Sequence, residues 1–318
     1  MSDAVPRKMW YLLLPAAVLL VVVAWRAGGL VAAGSPAQLE GPVAPSSVSA
    51  PVALAELPPL TIAPLPERLD TGVAAGLPLD LRAGLEGEPD LFRYAQRLQA
   101  AAASGNAEAS WMISRVYDYC SGYAMDPVGY ARDAASLAQL RNGATFVAAR
   151  DRVAGRCSGF VATDGLGRTL VTSQRIEAAR AGNLAAEAAL LAAGQPLQED
   201  EAYRRDLAQR VLQSGDPEAY LALSWAMGLR ARGDNAYRGM VAGDQYAELA
   251  WQLAACELGL ACDNGSVLMN GYCANGGICS QDSRQDFASF VYDAAVSRQG
   301  AEEMKDMVDS LLSPEVRR

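Results

Sequence analysis

The chain has 318 residues, carries a net charge of −9 and contains no histidine. An acidic balance argues against a nucleic-acid binder, which needs a basic face to displace phosphate counterions. The missing imidazole removes Ser-His-Asp and Cys-His catalysis and histidine zinc sites.

The first predicted element is Met9–Trp25, an uncharged apolar run between Lys8 and Arg26. As a helix it spans roughly 26 Å, close to the ~30 Å hydrocarbon core of a bilayer. Trp10, Tyr11 and Trp25 stand where an interfacial aromatic belt belongs, and Arg7 and Lys8 ahead of the run favour a cytoplasmic N-terminus. Residues 1–26 are therefore read as a cytoplasmic tip and an uncleaved single-pass anchor in a bacterial inner membrane, with the bulk of the chain periplasmic. A signal peptide cleaved before Gly34 is the competing reading, with Arg26 placed awkwardly for it. Residues 27–89 hold ten of the 16 prolines, a density that no helical period survives, and read as a semi-extended Pro/Ala-rich linker.

From residue 90 to 318 the pattern turns helical. Apolar residues recur at three and four: Leu91, Tyr94, Ala95 and Leu98, then Ala109, Met112, Ile113, Val116, Tyr119 and Cys120. Further stripes are Tyr203, Leu207, Val211 and Leu212, then Phe287, Phe290, Val291 and Ala294, and finally Met304, Met307, Val308, Leu311 and Leu312. Each is one apolar stripe that needs another helix to cover it. Between Phe160 and Thr172, the Asp164-Gly165 pair predicts a short β-hairpin or loop inserted between helices. Glu199-Asp200-Glu201 precedes an arginine-bearing helix and is explained by its N-terminal dipole rather than by metal binding or acid catalysis. Trp111, Trp225 and Trp251 sit inside helical patterns and are read as core.

A short signature returns between the stripes. It is Gly105-Asn106-Ala107-Glu108-Ala109, Gly182-Asn183-Leu184-Ala185-Ala186 and Gly215-Asp216-Pro217-Glu218-Ala219, with weaker copies at Gly143 and Gly259. Gly105, Gly182 and Gly215 suit the left-handed conformation that ends a helix. Asn106, Asn183 and Asp216 suit the cap of the next one, and Pro217 its first turn. The alanine four places after the glycine belongs where two helices come close. Intervals of 33 to 44 residues between these glycines match a helix-turn-helix repeat.

These stretches, with Ala247, Trp251, Ala254 and Ala255 as a closing helix, resemble divergent Sel-one-like repeats, relatives of the tetratricopeptide class. The resemblance covers about residues 90–262 and is best between 178 and 259. It implies an all-α fold of stacked, α-solenoid-like helical hairpins and a role in binding, with a concave face engaging a protein or peptide partner.

The six cysteines, Cys120, Cys157, Cys256, Cys262, Cys273 and Cys279, lie beyond the export signal and read as disulfides rather than as a four-cysteine zinc cluster. Cys120–Cys157 would staple the early helices. The last four allow three pairings, of which Cys256–Cys262 with Cys273–Cys279 is geometrically easy. Cysteine-bridged members of the resembled family are exported proteins, which agrees with this reading. The sequence assigns no catalytic, cofactor-binding or metal-binding residue. The function expected is a membrane-anchored periplasmic scaffold. A cell-envelope enzyme acting on glycans through a lone acidic residue, or an assembly chaperone, are the alternatives.

N-terminal sequencing of the protein in the membrane fraction should return the native start with Met9–Trp25 retained. A mature start near Gly34 would show cleavage instead.

Overall fold

The structure is a computed structural model and describes residues 81–139 and 143–313. The expected anchor at Met9–Trp25 lies outside these residues, as does most of the Pro/Ala-rich linker. No described helix is long and apolar enough to cross a membrane.

Thirteen α-helices and no strand make up the described residues. They are α1 (Leu81–Gly87), α2 (Leu91–Ala103), α3 (Ala107–Met125), α4 (Pro127–Leu137), α5 (Gly143–Cys157), α6 (Arg168–Arg180), α7 (Leu184–Ala192), α8 (Glu201–Ser214), α9 (Pro217–Met227), α10 (Gln245–Glu257), α11 (Val267–Asn270), α12 (Phe287–Ala294) and α13 (Gly300–Leu312). α11 continues directly into a π-helical turn, Gly271–Asn275.

The packing runs from helix to helix. α2 lies on α3, α3 on α6, α6 on α7, α7 on α9, α9 on α10 and α10 on α13, while α5 packs against α3, α4 and the π turn. The stripes face inward as expected: Leu91, Tyr94, Ala95 and Leu98 are buried, as are Leu207, Val211, Phe287, Phe290, Met304 and Leu311. Each large aliphatic side chain so covered contributes about 1.5–3 kcal/mol. α9 has no polar face, because it is enclosed by α7 and α10; only Trp225 on it is strongly exposed.

The turns carry the expected chemistry. Gly105, Gly182 and Gly215 have φ of 88°, 97° and 60°. After α2, Gly105 N–H donates to Ala102 O and Asn106 N–H to Ala101 O; after α6, Gly182 and Asn183 repeat this with Ala179 and Ala178. These are Schellman closures, which satisfy the last carbonyls of a helix. The next helix is capped at once. Asn106 accepts from Ala109 N–H at 3.0 Å, Asn183 from Ala186 N–H at 2.8 Å and Asp216 from Glu218 N–H at 3.0 Å. Ala109, Ala186 and Ala219 are wholly buried, so the small residue sits where helices meet.

The caps do not act separately. Arg82 of α1 bonds Glu108 through Nε (2.6 Å) and Asp216 through Nη1 (2.6 Å) and Nη2 (3.1 Å), and Asn183 Nδ2 donates to Glu108 at 2.9 Å. The guanidinium thus joins two of the turns directly and the third through Glu108, its charge further stabilised by the two carboxylates that flank it.

Four expectations need correction. The linker was expected to reach Pro89, but α1 forms earlier, since no proline stands between Pro78 and Pro89, Leu85 is buried, and Arg82 has these partners. Of the short hairpin or loop expected at 160–172, no strand forms and the loop ends early. Asp164 turns its carboxylate back onto Val161 N–H at 2.8 Å, giving a 3₁₀ turn at Ala162–Asp164, and Arg168 already opens α6. Gly143 is no copy of the signature: it begins α5, where a Cβ would run into the Leu137 carbonyl. Gly259 (φ 104°) does end α10, but the next helix starts only at Val267.

All six cysteines are oxidised, as Cys120–Cys157, Cys256–Cys262 and Cys273–Cys279. The first joins α3 to α5 across 37 residues; the others close spans of 6. Loop-closure entropy makes the long bridge worth about 4 kcal/mol and each short one about 2 kcal/mol. In urea denaturation, Cys120→Ala/Cys157→Ala should therefore cost about twice as much stability as Cys256→Ala/Cys262→Ala. Equal losses would mean that loop length does not govern their contribution.

Candidate functional site

A cleft of about 1160 Å³ runs between α3, α7 and α9 on one side and α10, α11, the π turn and α12 on the other. Helical spacing lines it. Leu221, Ala222 and Trp225 face it from α9, Gln245, Glu248 and Leu249 from α10, and Trp111, Arg115, Asp118 and Tyr119 from α3. Ala189, Ala192 and Ala193 at the end of α7, and Ala294 and Ala295 at the end of α12, present only methyl groups to it. Ala294, expected to be core, is exposed for this reason.

The aromatic wall is held from behind. Tyr272, in the π turn, donates its hydroxyl to Gln252 Oε1 at 2.6 Å. Gln252 Nε2 donates to Ser224 Oγ at 3.2 Å, and Ser224 Oγ to Leu221 O at 2.7 Å. Gln252 and Ser224 are wholly buried, so this ladder satisfies polar groups that would each be costly alone. Burial, reinforced by the charge of Glu248, pushes the Tyr272 hydroxyl up to about 12, and it remains a donor at neutral pH. Phe287 and Phe290 brace the same ring at 5.3 and 6.3 Å. Against it lies the Trp225 indole, 6.4 Å between centroids and 22° from parallel. Cys273–Cys279 closes the segment immediately after Tyr272, which contributes Asn275, Gly276 and Ile278 to the lining.

Trp111 and Trp251 are core, as expected, but Trp225 is 50% exposed. It was read as core because it sits inside a helical pattern; the indole lies on the flank of α9 that no neighbouring helix covers. Leu229 and Ile278, 56% and 54% exposed, join it at the cleft. Exposed apolar side chains gathered around one concavity mark an interaction site rather than ordinary surface.

Most charges of the cleft are already committed. Arg115 pairs with the buried Glu218, and Arg175 with Asp118 at 2.7 Å. Both guanidinium groups lie over the Trp111 ring, at 5.7 and 5.9 Å from its centroid. Two groups differ. Arg230 donates through Nη1 to Ala192 O at 2.6 Å, at the C-terminal end of α7, and has no ion pair among the described residues. Glu248 is half-buried and has neither a hydrogen bond nor an ion pair to its carboxylate among the described residues. Burial raises its pKa above the ordinary carboxylate value, and the charge of Arg230 opposes that shift. Gly228 makes room for it, since a Cβ there would come within 2.6 Å of Glu248 Oε2.

Of the residues singled out in the sequence, Cys273 and Cys279 brace the wall of the cleft, and the turn residues Gly105, Asn106, Gly182, Asn183, Gly215 and Asp216 lie outside its lining. They connect to it through Glu218, two places after the Asp216 cap, which holds Arg115. Asp200 caps α8 by accepting from Tyr203 N–H at 2.8 Å, as the dipole reading of the acidic trio expected. Among the described residues no group of three or more Cys, Asp and Glu is arranged to hold a metal ion. Sequence reasoning missed Trp225, Arg230, Glu248 and Tyr272; the available signal was the absence of a polar face on 217–227.

No family model matches this chain, and no curated protein or solved structure matches it either.

A carboxyl whose folded pKa is raised favours the folded state when protonated and loses that contribution as pH rises through the folded value. Glu248→Gln should therefore raise the Tm at pH 7. The gap should close on acidification to the carboxylate range. A melting temperature that falls at pH 7 would show that the carboxylate is stabilising.

Proposed function

We propose that this protein is a non-catalytic binding scaffold, a divergent helical-repeat protein of Sel-one-like type, whose cleft takes an extended segment of a protein partner. The observation that carries the reading is the cleft itself. At about 1160 Å³ it exceeds the ~300–1,000 Å³ of pockets that enclose a small molecule, and Trp225, Leu229 and Ile278 leave apolar surface at it without a cover. Its lining contains no Ser, Thr, Cys or Lys, so it offers no aliphatic hydroxyl, thiol or amine nucleophile. Three disulfides support an oxidising compartment. With the apolar run Met9–Trp25 and the proline-rich stretch behind it, this supports a periplasmic domain tethered to the inner membrane.

One observation favours a second reading, an envelope enzyme acting on glycans. Of the two carboxyls that line the cleft, Glu248 is the one without an ion pair among the described residues, and its raised pKa is the property expected of a general acid. A photo-crosslinking residue in place of Leu229 separates the two in intact cells. The scaffold reading expects a discrete crosslinked protein partner, lost when Ala222→Trp fills the cleft. Turnover of an envelope glycan by the purified chain, abolished by Glu248→Gln, would replace the scaffold with the enzyme.

A further inference from the structure

The cleft combines an aromatic face with one uncommitted carboxylate, and the two are linked through Gln252. Glu248 stands one helical turn before Gln252 on α10. Gln252 bonds both Tyr272 and Ser224, the residue preceding Trp225. Tyr272 stacks on Trp225, and Glu248 acts electrostatically on the Tyr272 hydroxyl. A half-exposed indole and an unpaired anion that line one cleft can attract a cation through ring quadrupole and charge together.

Three further facts set this carboxylate apart. The other acidic lining residue, Asp118, is taken by Arg175, whereas Glu248 has no such bond among the described residues. The cation that acts on it, Arg230, is tethered to the Ala192 carbonyl and does not reach ion-pair distance. Gly228 supplies the space the carboxylate occupies. The chain as a whole, at −9, also draws a positively charged segment toward it.

We propose that Glu248, with the stacked Trp225–Tyr272 pair, is a specificity subsite for one Lys or Arg side chain of the bound segment. The aliphatic stem of that side chain lies along the indole, and its charged head meets the carboxylate. The inference rests on the cleft-binding reading above and names what the cleft selects.

The probe is a display library of random 12-residue peptides, panned against the full chain in detergent, with the Ala222→Trp chain as the counter-selection. The expected result is a family of apolar peptides with Lys or Arg at one fixed position. Glu248→Gln should weaken the best of them about tenfold, as should replacing that basic residue by Gln, and the two changes together should cost little more than either. Each Glu248→Gln sample is checked by circular dichroism, so that a binding loss is read only from folded protein. Cleft-dependent apolar peptides without a fixed basic position, or with affinities unmoved by Glu248→Gln, would overturn the subsite and leave the binding cleft standing. A fixed acidic residue would overturn it in favour of Arg230. Failure to enrich any peptide that Ala222→Trp excludes would overturn the subsite and the peptide-binding reading together.

Discussion

A helical hairpin must satisfy the last carbonyls of one helix and the first amides of the next within two or three residues, and it must do so where the two helices are closest. Here the left-handed glycine and the Asn or Asp beside it do both jobs at Gly105–Asn106, Gly182–Asn183 and Gly215–Asp216. Because each cap is followed by a buried alanine, the helices approach closely and the caps are brought near one another. Arg82 and Asn183 then bind Glu108, and Arg82 reaches Asp216 as well. Groups that each cap one helix end locally become a network that fixes the helices against each other. Its charged members are partly exposed, so its worth lies in geometry more than in raw ion-pair energy.

The cleft follows from the same economy of side-chain volume. Ala185, Ala186, Ala188 and Ala219 are fully buried where α7 and α9 pack, and other alanines of the same stretches, Ala189, Ala192, Ala193 and Ala222, line the cleft. The space stays open because its far wall is rigid. A buried Tyr272–Gln252–Ser224 ladder holds the aromatic ring, and the Cys273–Cys279 bridge holds the backbone beside it. Folding therefore leaves the Trp225 indole half in water on a supported surface.

Charge is distributed unevenly across that surface. Arg115 and Arg175 are neutralised by Glu218 and Asp118 while both lie over the Trp111 ring, an arrangement that serves packing. Glu248 is held partly out of water with no bonded partner, a state that folding alone does not favour. Residues that lower stability without a packing role are where function is to be sought.

The sequence by itself determined the helices, their inward stripes, the caps, the three turns and an even cysteine set, because each depends on residues close in the chain. Periods of three and four, a glycine before Asn or Asp, and acidic residues before a first helical turn act over one or two turns of helix. Tertiary structure alone decided the rest. It drew α1 out of the proline-rich stretch by giving Leu85 a core and Arg82 two carboxylates, and it turned 162–172 from an expected hairpin or loop into a 3₁₀ turn and a helix. It selected the local pairing among the last four cysteines. It also decided which flank of the uniformly apolar helix 217–227 would be left uncovered, and so made Trp225 a surface residue beside Glu248. That choice depends on where α7, α10 and the π turn pack around it, a relation between residues dozens of positions apart that no local period encodes.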